Sequence, residues 1–331
     1  MAEGGSNDQN GQNDRSGRPP KNLQGLLKFC VEQTKAEDAP EPSRFRELSP
    51  ERKEWLKKAL DEMTGDPVQE VKNHIKTVGV YLGSKEPTEE ARTNALKALE
   101  LLFDWCESYD MANDFLKIGG FSILHELMTH SESEFRDHSF KLMSVLVQNN
   151  PVCQKAVVED DLLPIMLQVL DSEHDPDVQF HAVQAISCLV RDSLLEQAQQ
   201  QFVANNGFGV LKKVLQTPGP SKRVTKVAFF LMVMCNKNPQ YKDTVCEQGI
   251  VELLIQELKQ EHQQAHEQVM GALLCLAKDH PPTQCVLCKP EHNMKQFLQE
   301  KIQHLQGKDE NQEEREYAQE VLDIIEKTDD T

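Results

Sequence analysis

Gly119-Gly-Phe-Ser-Ile-Leu-His-Glu-Leu-Met128 is one copy of a recurring stretch. Its plan returns at Leu162-Leu-Pro-Ile-Met-Leu-Gln-Val-Leu170, at Gly207-Phe-Gly-Val-Leu-Lys-Lys-Val-Leu215 and at Gly249-Ile-Val-Glu-Leu-Leu-Ile-Gln-Glu-Leu258. Each copy holds an apolar pair at the same place: Ile123-Leu124, Ile165-Met166, Val210-Leu211 and Leu253-Leu254, in steps of 42, 45 and 43 residues. Each unit closes on one apolar residue, Leu146, Leu189, Met234 and Leu276, in steps of 43, 45 and 42, and a weaker copy closes at Trp105. A unit of that length holds two or three helices and cannot bury its apolar face alone, so successive units stack into one solenoid. Function in such a chain usually lies on a long concave surface rather than in a catalytic pocket.

The period is that of armadillo and HEAT repeats. Each unit reads as a short helix, a second helix opening near a glycine, and a longer third helix. Gly119-Gly120, Gly207 and Gly249 stand at the break before the second helix, with Asp160-Asp161 in their place in the second unit. Third helices end near proline, at Asn150-Pro151, Asn238-Pro239 and His280-Pro281. The expected fold is therefore an all-α, armadillo-like helical repeat solenoid with a flexible N-terminal arm. Residues 1–21 are Gly, Asn, Asp, Gln and Ser with little to bury and read as a disordered arm. Residues 22–65 read as N-terminal helices and a linker, 66–293 as the repeats, and 294–331 as C-terminal capping helices with an acidic tail. Solenoid ends need such a polar outer face to stay soluble.

Hydrophobic residues make up 38% of the chain, low for a compact globule but consistent with a solenoid carrying polar tails. Cys106, Cys188, Cys235 and Cys275 fall inside apolar helical stripes, where a free thiol behaves as a small hydrophobe. With no apolar leader at Met1 and no stretch of eighteen apolar residues, the chain reads as a cytosolic protein with reduced thiols and no membrane span. The net charge of −18 is unevenly spread: residues 66–175 carry 20 acidic against 9 basic side chains, and residues 296–331 carry 11 against 4. That balance disfavours nucleic acid, whose phosphates need a basic surface. It reads either as a solvated face or as an acidic surface offered to a basic partner.

Catalytic and metal motifs are weak. His125 and His130 resemble a zincin pair but stand five residues apart, about 140° around a helix. Cys285 and Cys288 lie between His280 and His292, a set able to hold zinc tetrahedrally. The plainer reading is an ordinary pair of cysteines in a connecting segment. No nucleophile elbow, phosphate loop or dinucleotide fingerprint occurs. The expectation is a non-enzyme with no metal and no cofactor.

That leaves the surface of the third helices. Aligned by the period, their outward positions form rungs: Lys97, Glu100, Phe103, Glu107; then His138, Lys141, Ser144, Gln148; then His181, Gln184, Ser187, Arg191. The last two rungs read Lys226, Phe229, Met232, Asn236 and Gln268, Gly271, Leu274, Lys278. The ladder turns from polar to partly apolar at Phe229, Met232 and Leu274, the pattern of a contact hot spot if these are exposed and of a core stripe if they are not. The partner-binding candidates are His181, Gln184, Arg191, Lys226, Phe229 and Met232, with acidic additions from Glu100 and Glu107. Trp105 is the only tryptophan in these helices, against a groove for extended basic peptides.

Several segments resemble the Hsp70-binding protein family. They are Arg18-Pro-Pro-Lys-Asn-Leu-Gln-Gly-Leu-Leu-Lys28, Ser49-Pro-Glu-Arg-Lys-Glu-Trp-Leu56, Ala95-Leu-Lys-Ala-Leu-Glu-Leu-Leu102, Asp110-Met-Ala-Asn-Asp-Phe115, Ala185-Ile-Ser-Cys-Leu-Val-Arg191 and Gly271-Ala-Leu-Leu-Cys-Leu276. Their order and spacing carry the resemblance, which lapses before Arg18 and in the tail. It implies a monomeric cytosolic nucleotide exchange factor whose concave face grips the ATPase domain of the seventy-kilodalton heat-shock chaperone and loosens its nucleotide cleft. It also implies an N-terminal segment that helps release chaperone-bound substrate, here with Leu23, Leu26, Leu27 and Phe29 as its sticky part. The alternative is a non-enzymatic armadillo scaffold for another protein partner.

Overall fold

The structure is a computed structural model that describes residues 50, 54–55, 66–191 and 196–329. Leu23, Leu26, Leu27 and Phe29, and the arm expected over residues 1–21, lie outside the described residues. The chain divides into Met1–Glu70 and Val71–Thr331, and the repeats occupy the second unit. Among the described residues the chain is helical, without strands, and no helix is long and apolar enough to cross a membrane.

Two helices precede the full repeats, α1 (Pro67–Leu82) and α2 (Glu89–Cys106). The three-helix plan then runs through α3 (Tyr109–Lys117), α4 (Leu124–Met128, entered by a 3-10 turn at Gly120–Ile123) and α5 (Ser133–Val147). It repeats in α6 (Pro151–Glu159), α7 (Leu162–Ser172) and α8 (Pro176–Val190), then in α9 (Glu196–Ala204), α10 (Gly207–Gln216) and α11 (Ser221–Lys237). It repeats again in α12 (Tyr241–Glu247), α13 (Ile250–Leu258) and α14 (Ala265–Ala277). The C-terminal segment follows the same order: α15 (Pro281–Leu287), α16 (Met294–Leu305) and α17 (Gln312–Asp329).

Helix starts follow local chemistry. Thr88 caps α2 by accepting from the Ala91 N–H at 3.2 Å. Asp175 accepts from the Asp177 N–H at 3.0 Å, with Pro176 in the first turn of α8 where its missing N–H costs nothing. Asn150 caps α6 in the same way, so Pro151 opens that helix as well as closing the one before it.

The break before each second helix is one left-handed residue. Gly119, Asp161, Asn206, Gly249 and Asn293 all have φ between +43° and +84°, in steps of 42, 45, 43 and 44 residues. Gly119 and Gly249 take that conformation freely, and Asn and Asp are the side chains that best tolerate it. In the third full unit the turning residue is therefore Asn206, not Gly207. Gly207 is needed for room: a Cβ there would overlap the Phe202 ring, as one on Gly120 would overlap Phe115. The intervening units solve the same contact in reverse. Where the first helix offers a smaller residue, Val157 or Val245, the position five residues on carries Leu162 or Ile250. All four of those side chains are buried, so volume is conserved while its two contributors trade size.

The core runs as one continuous apolar cluster from Val71 to Ile325. Polar links at about one repeat spacing tie neighbouring units: Arg92 to Glu132 at 2.8 Å, Arg136 to Glu173 at 2.7 Å, and Lys222 to Asp177 at 2.6 Å. Third helices pack side by side, α5 on α8, α11 on α14 and α14 on α17. They form the layer that carries the candidate site.

Candidate partner-binding face

Third helices run side by side because their broad apolar stripes face the core, which leaves a narrower row on each pointing away from it. Glu100, Phe103 and Asp104 of α2, His138, Lys141 and Ser144 of α5, and His181 and Gln184 of α8 line one shallow depression of about 460 Å³. Residues taken from three successive rungs thus meet on one face. Glu107 is exposed just past the end of α2, beyond that lining.

Asp137 sits under the depression and organises it. His181 Nδ1 lies 2.6 Å from its Oδ1, and Lys141 Nζ lies 2.6 Å from its Oδ2. Burial alone would raise this carboxyl, but hydrogen bonds from His181 and Lys141 outweigh it and hold Asp137 below the usual carboxylate range. Burial, with help from the Lys141 charge, pushes His138 down, so it is neutral near pH 7. Gln184 donates to Ser144 Oγ at 3.4 Å.

Further along the row the character becomes cationic and aromatic. The Arg191 guanidinium lies 5.9 Å from the centre of the Phe229 ring. Lys222 and Lys226 stand 4.9 and 5.7 Å from the centre of the Phe180 ring. Phe180, Arg191, Lys226 and Phe229 are half-buried and Lys222 is exposed, so cations lie over aromatic faces on an accessible surface. Met232 is half-buried and packs against the core, and its carbonyl accepts from Cys275 Sγ at 3.6 Å. Of the expected residues, Glu100, His181 and Gln184 share the depression, while Arg191 with Phe229 and Lys226 with Phe180 form ring contacts beyond it. Phe180 and Lys222 were missed. Phe180 precedes the rung that starts at His181, and the available signal was the 45-residue step between Asp177 and Lys222, one full period.

The last rung is corrected. Leu274 is 7% exposed and Gly271 is buried. A Cβ on Gly271 would stand 3.3 Å from the Tyr317 ring of α17 and 3.6 Å from Met232 Sδ. The expectation failed because α17 packs on α14, and the pattern of α14 alone does not reveal that. Ser144 and Ser187 are also buried.

The cysteine–histidine set does not converge. Cys285 is exposed. His280 caps α15 through Thr283 and pairs with Asp243 at 3.0 Å. Burial pushes the Cys106 and Cys235 thiols up to about 12, so they stay protonated and inert.

Residues 111–243 match the family model described as SIL1/FES1/HPBP1 C-terminal domain, and residues 23–115 match that described as nucleotide exchange factor Fes1. Hsp70-binding protein 1 of Mus musculus is 32% identical over 312 residues, covering 92% of this chain and 86% of that protein. The Homo sapiens protein of the same name is also 32% identical, covering 92% and 85%. Nucleotide exchange factor SIL1 of Rattus norvegicus is 23% identical over 252 residues, covering 68% of this chain and 53% of that protein. Among solved structures, a designed armadillo repeat protein superposes with a TM-score of 0.60 at 16% identity, covering 76% of this chain and 99% of its own. The fold is thus armadillo-like.

Proposed function

The chain belongs to the Hsp70-binding protein 1 family, and from that premise we propose that it is a nucleotide exchange factor for the seventy-kilodalton heat-shock chaperones. The observation that carries the reading is the 32% identity over 92% of the chain to Hsp70-binding protein 1, joined to the open row of third-helix side chains. That row, from Glu100 through His181, Gln184 and Arg191 to Lys226, Phe229 and Met232, grips the folded ATPase domain of the chaperone. Exposed Glu100, Asp104 and Glu107 meet basic groups on the partner, and the cation–aromatic middle meets acidic or carbonyl-rich surface.

Exchange needs no covalent step and no side chain on the nucleotide. A factor that binds the open form of the ATPase domain better than the closed form shifts the population toward the open form, which holds ADP weakly. By linkage, nucleotide weakens factor binding by the same factor. A surface that holds one shape suits the task, because a compliant one would adapt to both forms and discriminate neither. The protein acts as a cytosolic monomer. The domain layout follows this reading: repeats over residues 66–293, capping helices over 294–331, and residues 22–65 with Leu23, Leu26, Leu27 and Phe29 aiding substrate release.

Stopped-flow release of a fluorescent ADP analogue from the chaperone, chased with excess ATP, tests the proposal. The wild-type protein accelerates release in a concentration-dependent way. Unchanged release, with no binding to the isolated ATPase domain, would leave a scaffold for another partner.

A further inference from the structure

The segment leading into α14, α14 itself, α16 and α17 bring four charged or titratable side chains together, away from the row of third-helix residues described above. His262 Nε2 lies 2.9 Å from Glu314 Oε2, and the two imidazoles pack edge to face with centres 5.1 Å apart. Lys301 Nζ sits 2.7 Å from Glu314 Oε1 and 3.1 Å from His266 Nδ1. His266 and Glu314 are each 1% exposed. Donor atoms of His262, His266 and Glu314 all fall within 4.8 Å of one another.

Two imidazoles and one carboxylate are a known zinc donor set, leaving a fourth position for water. Lys301 can only donate, so the His266 Nδ1 it faces is an acceptor whose lone pair points into the cluster. Glu314 pairs with Lys301 through Oε1 and with His262 through Oε2, the contacts of an ionised carboxylate. A cation is already drawn into the cluster. It is a lysine ammonium on a flexible four-carbon stem whose side chain is only 9% exposed, so it must move out for an ion to enter.

We propose that His262, His266 and Glu314 form a zinc site in which Zn²⁺ takes the place of the Lys301 ammonium. Three donors around one ion at about 2.0–2.2 Å stand closer together than they do here, so the cluster tightens. His262 is free to supply that movement, because it precedes α14 and its side chain is 43% exposed. Lys301 leaves as an ammonium, His266 binds through Nδ1 and keeps its proton on Nε2, and His262 moves the proton it now points at Glu314 from Nε2 to Nδ1, freeing Nε2 for the ion. The metal ties the entry of α14 to α17, fixing the C-terminal helix over Gly271 and Leu274.

Isothermal titration of the full chain with Zn²⁺, paired with absorption spectra of the Co²⁺ form, tests this. The wild type binds one ion, with a cobalt spectrum of nitrogen and oxygen ligands. His262→Ala, at a half-exposed position outside the helix, weakens binding by about tenfold or more. Lys301→Met tightens it about tenfold by removing the competing charge. Each of three results would overturn the site: no stoichiometric binding by wild type even if Lys301→Met binds, affinity unmoved by His262→Ala, or thiolate-to-cobalt bands that assign the ion to cysteines such as Cys285.

Discussion

Third helices α8 and α11 present Phe180, His181, Gln184, Arg191, Lys226 and Phe229 half-buried on their outer row, while α14, one period later, presents a buried Gly271 and Leu274. The repeat plan is the same in both regions. The difference is what lies against them: α17 packs on α14, and its Ala318, Val321, Leu322 and Ile325 are buried. Apolar residues at the outer positions of a third helix therefore mean two different things in one chain. Under α17 they are core, and along the middle they are held half-open beneath cations. A solenoid's inner face is a binding surface only where the next element leaves it uncovered.

Removing residues 308–331 breaks the comparison outright. It strips α17 from α14 and forfeits the burial of Val321, Leu322 and Ile325, each about 1.5–3 kcal/mol when fully buried. The covered end becomes like the open end but apolar, and urea unfolding shows an early transition with aggregation of the truncated chain. Glu314→Gln comes next. Breaking a buried ion pair from one side costs about 3–5 kcal/mol, and Lys301 is the partner left behind.

The same carboxylate sets a pH dependence. Glu314 is lowered in the folded protein, so its contribution is fully present above the unfolded value of about 4.3 and is lost as pH falls from there through the folded value. The wild type loses stability across that acid window, whereas Glu314→Gln starts lower and shows a flatter acid slope in thermal melts.

Gly271→Leu overpacks the covered end against Tyr317, costing about 1–3 kcal/mol in a urea melt. Phe229→Glu has the smallest effect on stability, within about 1 kcal/mol, because the ring is only half-buried. Its effect on partner binding is the largest of the set. The two single substitutions separate the regions: one changes stability more than function, the other function more than stability.

The period was legible because burying an apolar stripe at helical spacing demands it, and the steps between Ile123, Ile165, Val210 and Leu253 needed no structure. The turn chemistry was half legible. Glycine announces a left-handed residue at 119 and 249, but Asp161, Asn206 and Asn293 adopt the same geometry under side chains that also serve many other roles. Gly207 drew attention for the wrong reason, since its constraint is the Phe202 ring rather than its own φ. At the site, Glu100, His181 and Gln184 were placed by period alone and share one depression. Leu274 was misread because its cover comes from α17, a full repeat later. Phe180 escaped notice because its contacts, Lys222 and Lys226, lie on the next third helix rather than its own.

The most direct test compares ADP release from the chaperone, by stopped flow, with wild type and Phe229→Glu at matched helicity by circular dichroism. Loss of acceleration in the folded variant is the predicted result and locates exchange on the open middle of the third-helix face. Full acceleration by folded Phe229→Glu would contradict it.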